Sequence, residues 1–282
     1  MCGMRSLLCA LTAIVSLATP LRAQLPAVWS PPEILQIYRD PIKPGKLADY
    51  TKLENEAAHA CSRANTWPYL TMQSVTGPQE VWFVSGFDSY AAMEKSAEPF
   101  VRNAALAADL GRLMENKANL VSDPQTVFLR YRDDLSRNLG LMRGQTRFFA
   151  ITLVTVRPGH EHEYEESQRI LRGVRERAGA NDNRVVYQVL SGMPSNIYMT
   201  LAPYHSFHDA GAALDGLLDY DDLDDGARNR IRDLYASGVQ SSQTFIFAIS
   251  PQMSNPAGEW IVDDPDFWKN SPPLQRQAGA KK

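Results

Sequence analysis

Two stretches of this chain, 114 positions apart, read almost as one. "IKPGKLADY" (Ile42 to Tyr50) and "VRPGHEHEY" (Val156 to Tyr164) share a branched aliphatic residue, a basic residue, Pro-Gly and a polar run closing on Tyr. Further matches follow in order: "VTG" at 75–77 with "LSG" at 190–192, "VWFV" from 81 with "IYMT" from 197, "FDSY" from 87 with "YHSF" from 204, and "QTVF" from 125 with "QTFI" from 243. The offset grows from 114 to 118, as small loop insertions would make it do. The pattern predicts two copies of one folding unit, residues 33–136 and 146–254, with 137–145 as linker and 255–282 as a C-terminal tail.

Within each copy the hydrophobic period identifies the elements. A short strand (Leu35 to Arg39; Phe148 to Val154) runs into the Pro-Gly joint, and a helix follows. Leu47, Tyr50, Leu53, Ala57, Cys61 and Ala64 recur at helical spacing in the first copy, as do Tyr164, Ser167, Leu171, Val174 and Ala178 in the second. Two strands joined by Gly-containing turns come next, then Ser89 or Ser206 as the N-cap of a second helical region, then a closing strand. The order is β-α-β-β-α-β, so the fold class is α+β with two tandem ferredoxin-like repeats.

The duplicated "PG…Y" helix start, the "VTG/LSG" hairpin and the cap after the third strand resemble the dimeric α+β-barrel superfamily. The layout looks most like its tandem NIPSNAP-like or antibiotic-biosynthesis-monooxygenase-like members. That resemblance implies two sheets facing each other as a barrel with helices outside, formed here within one chain as a monomeric pseudo-dimer. It also implies a range of activities, among them quinol monooxygenases and haem-degrading enzymes, so it sets the fold more firmly than the reaction.

The ends and the charge bound the setting. Arg5, the apolar run Leu7 to Leu17 and the Pro20 to Ala23 breaker read as a secretory signal peptide over 1–23, cleaved after Ala23 or after Ala18. The protein is therefore expected to be exported, to the periplasm or the extracellular space. Cleavage would leave Cys61 as the only cysteine, so no internal disulfide is expected. Without Arg5 and Arg22 the chain has 27 basic against 32 acidic residues, which gives no footprint for nucleic acid or an anionic membrane. No later stretch approaches the roughly 20 apolar residues of a transmembrane helix.

The candidate sites are weighed against the repeat. His160 and His162 lie two apart at a helix start and point to different sides, so they cannot share an ion; the first copy has Lys46 and Ala48 there. His205 and His208, three apart around the second cap, are the better metal or haem candidates. "DYDDLDDG" (Asp219 to Gly226) fails the calcium-loop register and reads as acid ahead of a helix. Strand alternation is expected to turn Leu35, Ile37, Leu70, Met72, Val81, Phe83, Val127 and Leu129 toward the helices. Tyr38, Gln73, Trp82, Phe128 and Arg130, with Thr152, Gln188, Tyr198, Ile246 and Ala248 in the second copy, would then face the barrel. Of these, Tyr38, Gln73, Trp82, Arg130, Gln188 and Tyr198 are the ligand-binding candidates.

No nucleophile elbow, P-loop, dinucleotide fingerprint or zinc-protease motif occurs. The leading reading is an exported small-ligand-binding or interaction protein with no evident catalytic site and no cofactor, taking a small apolar or aromatic ligand or none. The alternative is a monooxygenase or haem-handling enzyme with haem as cofactor, in which the asymmetry between the copies marks the working half.

Overall fold

The structure is a computed structural model and describes residues 30–137, 145–179, 183–215 and 224–272. The expected signal peptide, nearly all of the linker and most of "DYDDLDDG" lie outside the described residues. The first half runs β1 (Ile34–Pro41), α1 (Leu47–Arg63), β2 (Leu70–Ser74), β3 (Glu80–Phe87), α2 (Tyr90–Ser96), α3 (Glu98–Arg102), α4 (Ala104–Lys117) and β4 (Gln125–Tyr131). The second runs β5 (Phe148–Val156), α5 (Glu161–Arg177), β6 (Val185–Ser191), β7 (Ile197–Tyr204), α6 (Phe207–Asp215), α7 (Asp225–Gly238) and β8 (Val239–Ile249). Short helices α8 (Gly258–Asp263) and α9 (Pro265–Trp268) follow.

Local chemistry explains several joints. Gly45 and Gly159 take φ of 76° and 84° at the Pro-Gly turns, a region that L side chains rarely occupy. The Ser89 hydroxyl accepts from the Ala92 amide, and that of Ser206 from the Asp209 amide, which starts the helices after β3 and β7.

All eight strands close into one barrel, in the order β1-β3-β2-β8-β5-β7-β6-β4, and every neighbouring pair is antiparallel. The first four strands occupy one arc and the last four the other. They meet at two seams, β2 with β8 and β4 with β6. The barrel is packed solid by side chains from both arcs, including Ile37, Trp82, Leu129, Ile151, Tyr187, Met199 and Phe247. Trp268 of α9, 2% exposed, joins this core, and Trp260, Ile261 and Phe267 pack against it. Arg147 bonds the Asp264 carboxylate and lies 3.7 Å over the Phe267 ring, fixing the tail to the start of β5. Among the described residues no helix is long and apolar enough to cross a membrane.

The expected assignment of strand faces is largely reversed. Leu35, Ile37, Met72, Val127 and Leu129 fill the barrel, and Leu70 packs against that cluster. Of the set expected to face the helices, Val81 and Phe83 do so, in a cluster with Ile42, Tyr50 and Val121. Register decides the matter, because cross-strand partners share a face. Trp82 pairs with Met72 and therefore points inward, whereas Tyr38 pairs with Phe83 and points outward. Gln73 pairs with Val81 and Ala248, and Arg130 with Gln188, which in turn pairs with Tyr198; these too lie on the outer face. The barrel interior takes the more apolar set.

Candidate functional site

Helices α1 and α4 lie over the outer face of the first arc and enclose a cavity of about 240 Å³. Leu53, Ala57, Leu110 and Leu113 give it apolar walls from the helices, and Phe83 and Tyr38 line it from the sheet. At its end stand Glu54 and Lys117, both under a tenth exposed. The Lys117 ammonium is 2.5 Å from Asp40 Oδ2 and 2.9 Å from Glu54 Oε1. Tyr50 donates its hydroxyl to the same Asp40 oxygen at 2.5 Å. The ammonium also lies 4.9 Å from the Tyr38 ring centre, 5.2 Å from Phe83 and 5.5 Å from Tyr50, so rings and carboxylates together cage it.

This cluster carries two acids and one base, all buried, and the imbalance shapes its protonation. Burial raises the Glu54 carboxyl above its usual range, and Lys117 only partly offsets that. Burial opposes the charge on Lys117, but Glu54 and Asp40 outweigh it and hold the ammonium above its ordinary value. Burial likewise pushes up the Tyr50 and Tyr38 hydroxyls. Asp40 Oδ1 is buried and makes no hydrogen bond. A Glu54 carboxyl raised by burial, beside a fixed ammonium, can give or take a proton at one end of an apolar pocket.

The second half lacks this arrangement at the matching positions. Ile42 bridges to Val121, and Val156 pairs with Val239, which sets the correspondence between the halves. On that register Asp40, Glu54 and Lys117 correspond to Val154, Gln168 and Tyr235. Val154 joins Tyr164 and Tyr198 in a hydrophobic cluster against which Tyr235 packs. The cavity's charged end therefore belongs to one half alone. The same register shows that Trp82 corresponds to Met199 rather than to Tyr198, because Tyr38 pairs with Phe83 as Thr152 pairs with Thr200. The second hairpin is two residues longer between paired positions (Gln73 to Val81 against Gln188 to Tyr198), one more than the sequence match allows.

The sequence candidates scatter over four places. Tyr38 lines the first-half cavity. Tyr198 and Gln188 join a clamp on the second half: Tyr198 donates to Glu165 at 2.7 Å, and Arg132 reaches Glu165 at 2.5 Å and Gln188 at 3.1 Å. Asp134 completes the clamp, and hydrogen bonds from Arg132 and Arg169 lower its carboxyl to about 2. Arg130 is exposed on the same row, and Gln73 lines a shallow groove with Ala248. Trp82 is inside the barrel, where it donates to Glu80 at 2.6 Å, lies 4.4 Å from Phe247 and carries Arg39 over its ring at 4.8 Å.

His162 is exposed, His160 meets Glu163 at 3.3 Å, and His205 sits 2.8 Å from the Gln145 carbonyl, with His208 exposed nearby. None of these histidines lines the first-half cavity. Haem iron takes His, Cys thiolate, Met or Tyr. Tyr38, Cys61, Tyr69 and Met114 do line the cavity, and burial raises the Cys61 and Tyr69 groups above their ordinary values.

Asp40, Glu54 and Lys117 escape a sequence reading because 14 and 63 positions separate them along the chain. A comparison of the halves carries the signal: Asp40, Glu54 and Lys117 are charged where the second half has Val154, Gln168 and Tyr235.

No family model matches the chain, and no curated protein matches it. Solved structures do. A candidate monooxygenase from Fusobacterium nucleatum subsp. nucleatum is 12% identical, over 77% of this chain and 91% of its own, with a TM-score of 0.49. A mutant chlorite dismutase from Candidatus Nitrospira defluvii is 7% identical over 79% and 94%, with a TM-score of 0.48. An anthrone oxidase-like protein is 13% identical over 77% and 92%, at 0.47. Likeness at this level assigns this chain no substrate and no residue role.

Proposed function

We propose that this is an exported, monomeric small-molecule-binding protein built from two ferredoxin-like repeats, and that its ligand enters the first-half cavity. The symmetric seams and the repeated Pro-Gly joints support the repeat reading; Arg5 and the Leu7 to Leu17 run support export. One observation carries the function: a cavity walled by apolar side chains ends on a buried carboxylate–ammonium–carboxylate cluster that the other half does not repeat. Ligand pockets combine apolar walls with a few convergent polar groups in this way. The ligand that fits is a flat, mostly apolar molecule with one hydroxyl, which Glu54 and Lys117 would receive.

The raised Glu54 carboxyl favours a second reading, in which the pocket is catalytic. Glu54 as carboxylate would take the proton of a phenolic hydroxyl and Lys117 would hold the resulting phenolate, an opening step suited to a monooxygenase-like oxidoreductase. Calorimetry with 2-naphthol tests the site. The wild type should bind it. Glu54→Gln, and Met114→Trp at the exposed rim of the cavity, should each weaken binding about tenfold or more, the worth of a lost hydrogen bond to a charged group. Equal affinity in all three proteins would overturn the site. A naphtholate absorbance band on binding near neutral pH selects the catalytic reading, and its absence selects simple binding.

A further inference from the structure

Building on the first-half cavity as the ligand site, we infer that its ligand carries a neutral carboxamide at the end opposite its hydroxyl, held there by Gln36 and Ser85. The cavity floor is the outer face of β1 and β3, where cross-strand pairs form rows: Asp40 with Val81, Tyr38 with Phe83, and Gln36 with Ser85. It passes from the ion cluster over two rings to a neutral polar pair. At about 3.3 Å of rise per residue, Gln36 stands roughly 13 Å along β1 from Asp40. The roof has a similar length. Cys61 follows Glu54 on α1 by about two helical turns, or about 10 Å, and Lys117 follows Leu110 on α4 by the same. Cys61 bonds Tyr69, which precedes Leu70, the partner of Val84, so the far end of the roof meets the row of Ser85.

The far end is polar without charge. Glu54 and Lys117 stand together at the other end, and burial raises the Cys61 thiol and the Tyr69 hydroxyl, so neither is charged at neutral pH. Gln36 and Ser85 are half-buried, and no side chain among the described residues bonds either one. An apolar ligand end would close both off from water without partners, and a charged end would lose its own water with no counter-charge to meet it. A carboxamide avoids both costs. It is neutral, and it can donate to and accept from the Gln36 amide while the Ser85 hydroxyl takes a further bond. The second half has Ala150 paired with Ala202 in the matching row. The polar end, like the charged one, therefore belongs to the first half alone.

A matched set of probes tests this: 6-hydroxy-2-naphthamide, 6-methyl-2-naphthol and 6-hydroxy-2-naphthoate, each titrated calorimetrically into the full chain beside 2-naphthol. The amide should bind at least about tenfold tighter than the methyl compound, the worth of two neutral hydrogen bonds, and tighter than the carboxylate. Gln36→Leu should bring the ratio of amide to methyl affinity near one, and Ser85→Ala, a smaller change, should lower it. Because the ratio is read within each protein, a general weakening of binding does not imitate the effect. Glu54→Gln should weaken both probes and leave their ratio standing. Three results would overturn the neutral polar end while leaving the cavity as the ligand site: a wild-type ratio near one with 2-naphthol still bound, a carboxylate bound as tightly as the amide, or a ratio erased by Glu54→Gln and not by Gln36→Leu. Binding of no probe, 2-naphthol included, would overturn the site and the inference together.

Discussion

Lys117 bridges two buried carboxylates, and its removal takes away the cation that both face. Breaking a buried ion pair from one side typically costs about 3–5 kcal/mol, and Lys117→Met should fall in that range in urea unfolding. The second half already supplies a neutral alternative, so D40V/E54Q/K117Y, which installs its residues, should recover most of the loss while abolishing 2-naphthol binding. If the triple variant is as unstable as Lys117→Met, the cluster is required by the fold itself. The titration has a definite sign. Lys117 and Tyr50 hold their protons more tightly folded than unfolded, so their contribution is complete below pH 10 and lost as pH rises past their ordinary values of 10.5 and 10.0. Wild-type melting temperature should therefore fall above pH 10, and less steeply in a Lys117→Met protein that also carries Tyr50→Phe. At this scale little of the site was legible: Tyr38 was singled out for its strand position, but its partners come from α1 and α4, and only tertiary contact joins them.

At the scale of elements, the period of two along a strand separates its residues into two faces but does not say which face looks inward. Where both faces are buried, apolarity cannot decide either, and the reversed assignment of Leu35, Ile37, Val127 and Leu129 has this cause. The cross-strand register settles it, and register is a property of pairs of elements. The closing strand shows the same limit. The "QTFI" match that marks it begins at Gln243, yet β8 starts at Val239, because polar Ser241 and Ser242 pair with Thr155 and Val154 of β5. By contrast the caps Ser89 and Ser206 and the Pro-Gly joints were legible because their chemistry is local. One turn residue bears on closure. Gly192 follows β6 at φ 87°, and a Cβ there would come 1.9 Å from the Thr126 carbonyl oxygen of β4. Gly192→Ala meets both a strained backbone and a backbone clash at a barrel seam, so it should cost more than the about 1–3 kcal/mol of strain alone. Gly45→Ala, at similar φ but in open space, should cost only the strain. Equal losses in thermal unfolding would mean that the β4–β6 seam yields freely.

At the scale of the whole molecule, the interior belongs to neither half. Leu35, Ile37, Met72, Trp82, Val127 and Leu129 come from the first arc, and Phe149, Ile151, Tyr187, Val189, Met199, Leu201 and Phe247 from the second, and the two sets pack in one cluster with Trp268 of the tail. Separating the arcs would bare both sets and break the two seams, leaving edge strands β2, β4, β6 and β8 unpaired. The first half by itself would still hold its outer cavity, since α1, α4 and its own strands make it. Expressed as separate chains of residues 24–140 and 141–272, each half should therefore self-associate or aggregate, because an apolar sheet face worth about 25 cal/mol per Å² will not stay in water. Mixed from denaturant, the two should form a one-to-one complex, detected by sedimentation, that melts cooperatively. A first half that is monomeric and melts cooperatively without its partner would show that the arcs are independent domains rather than two sides of one core.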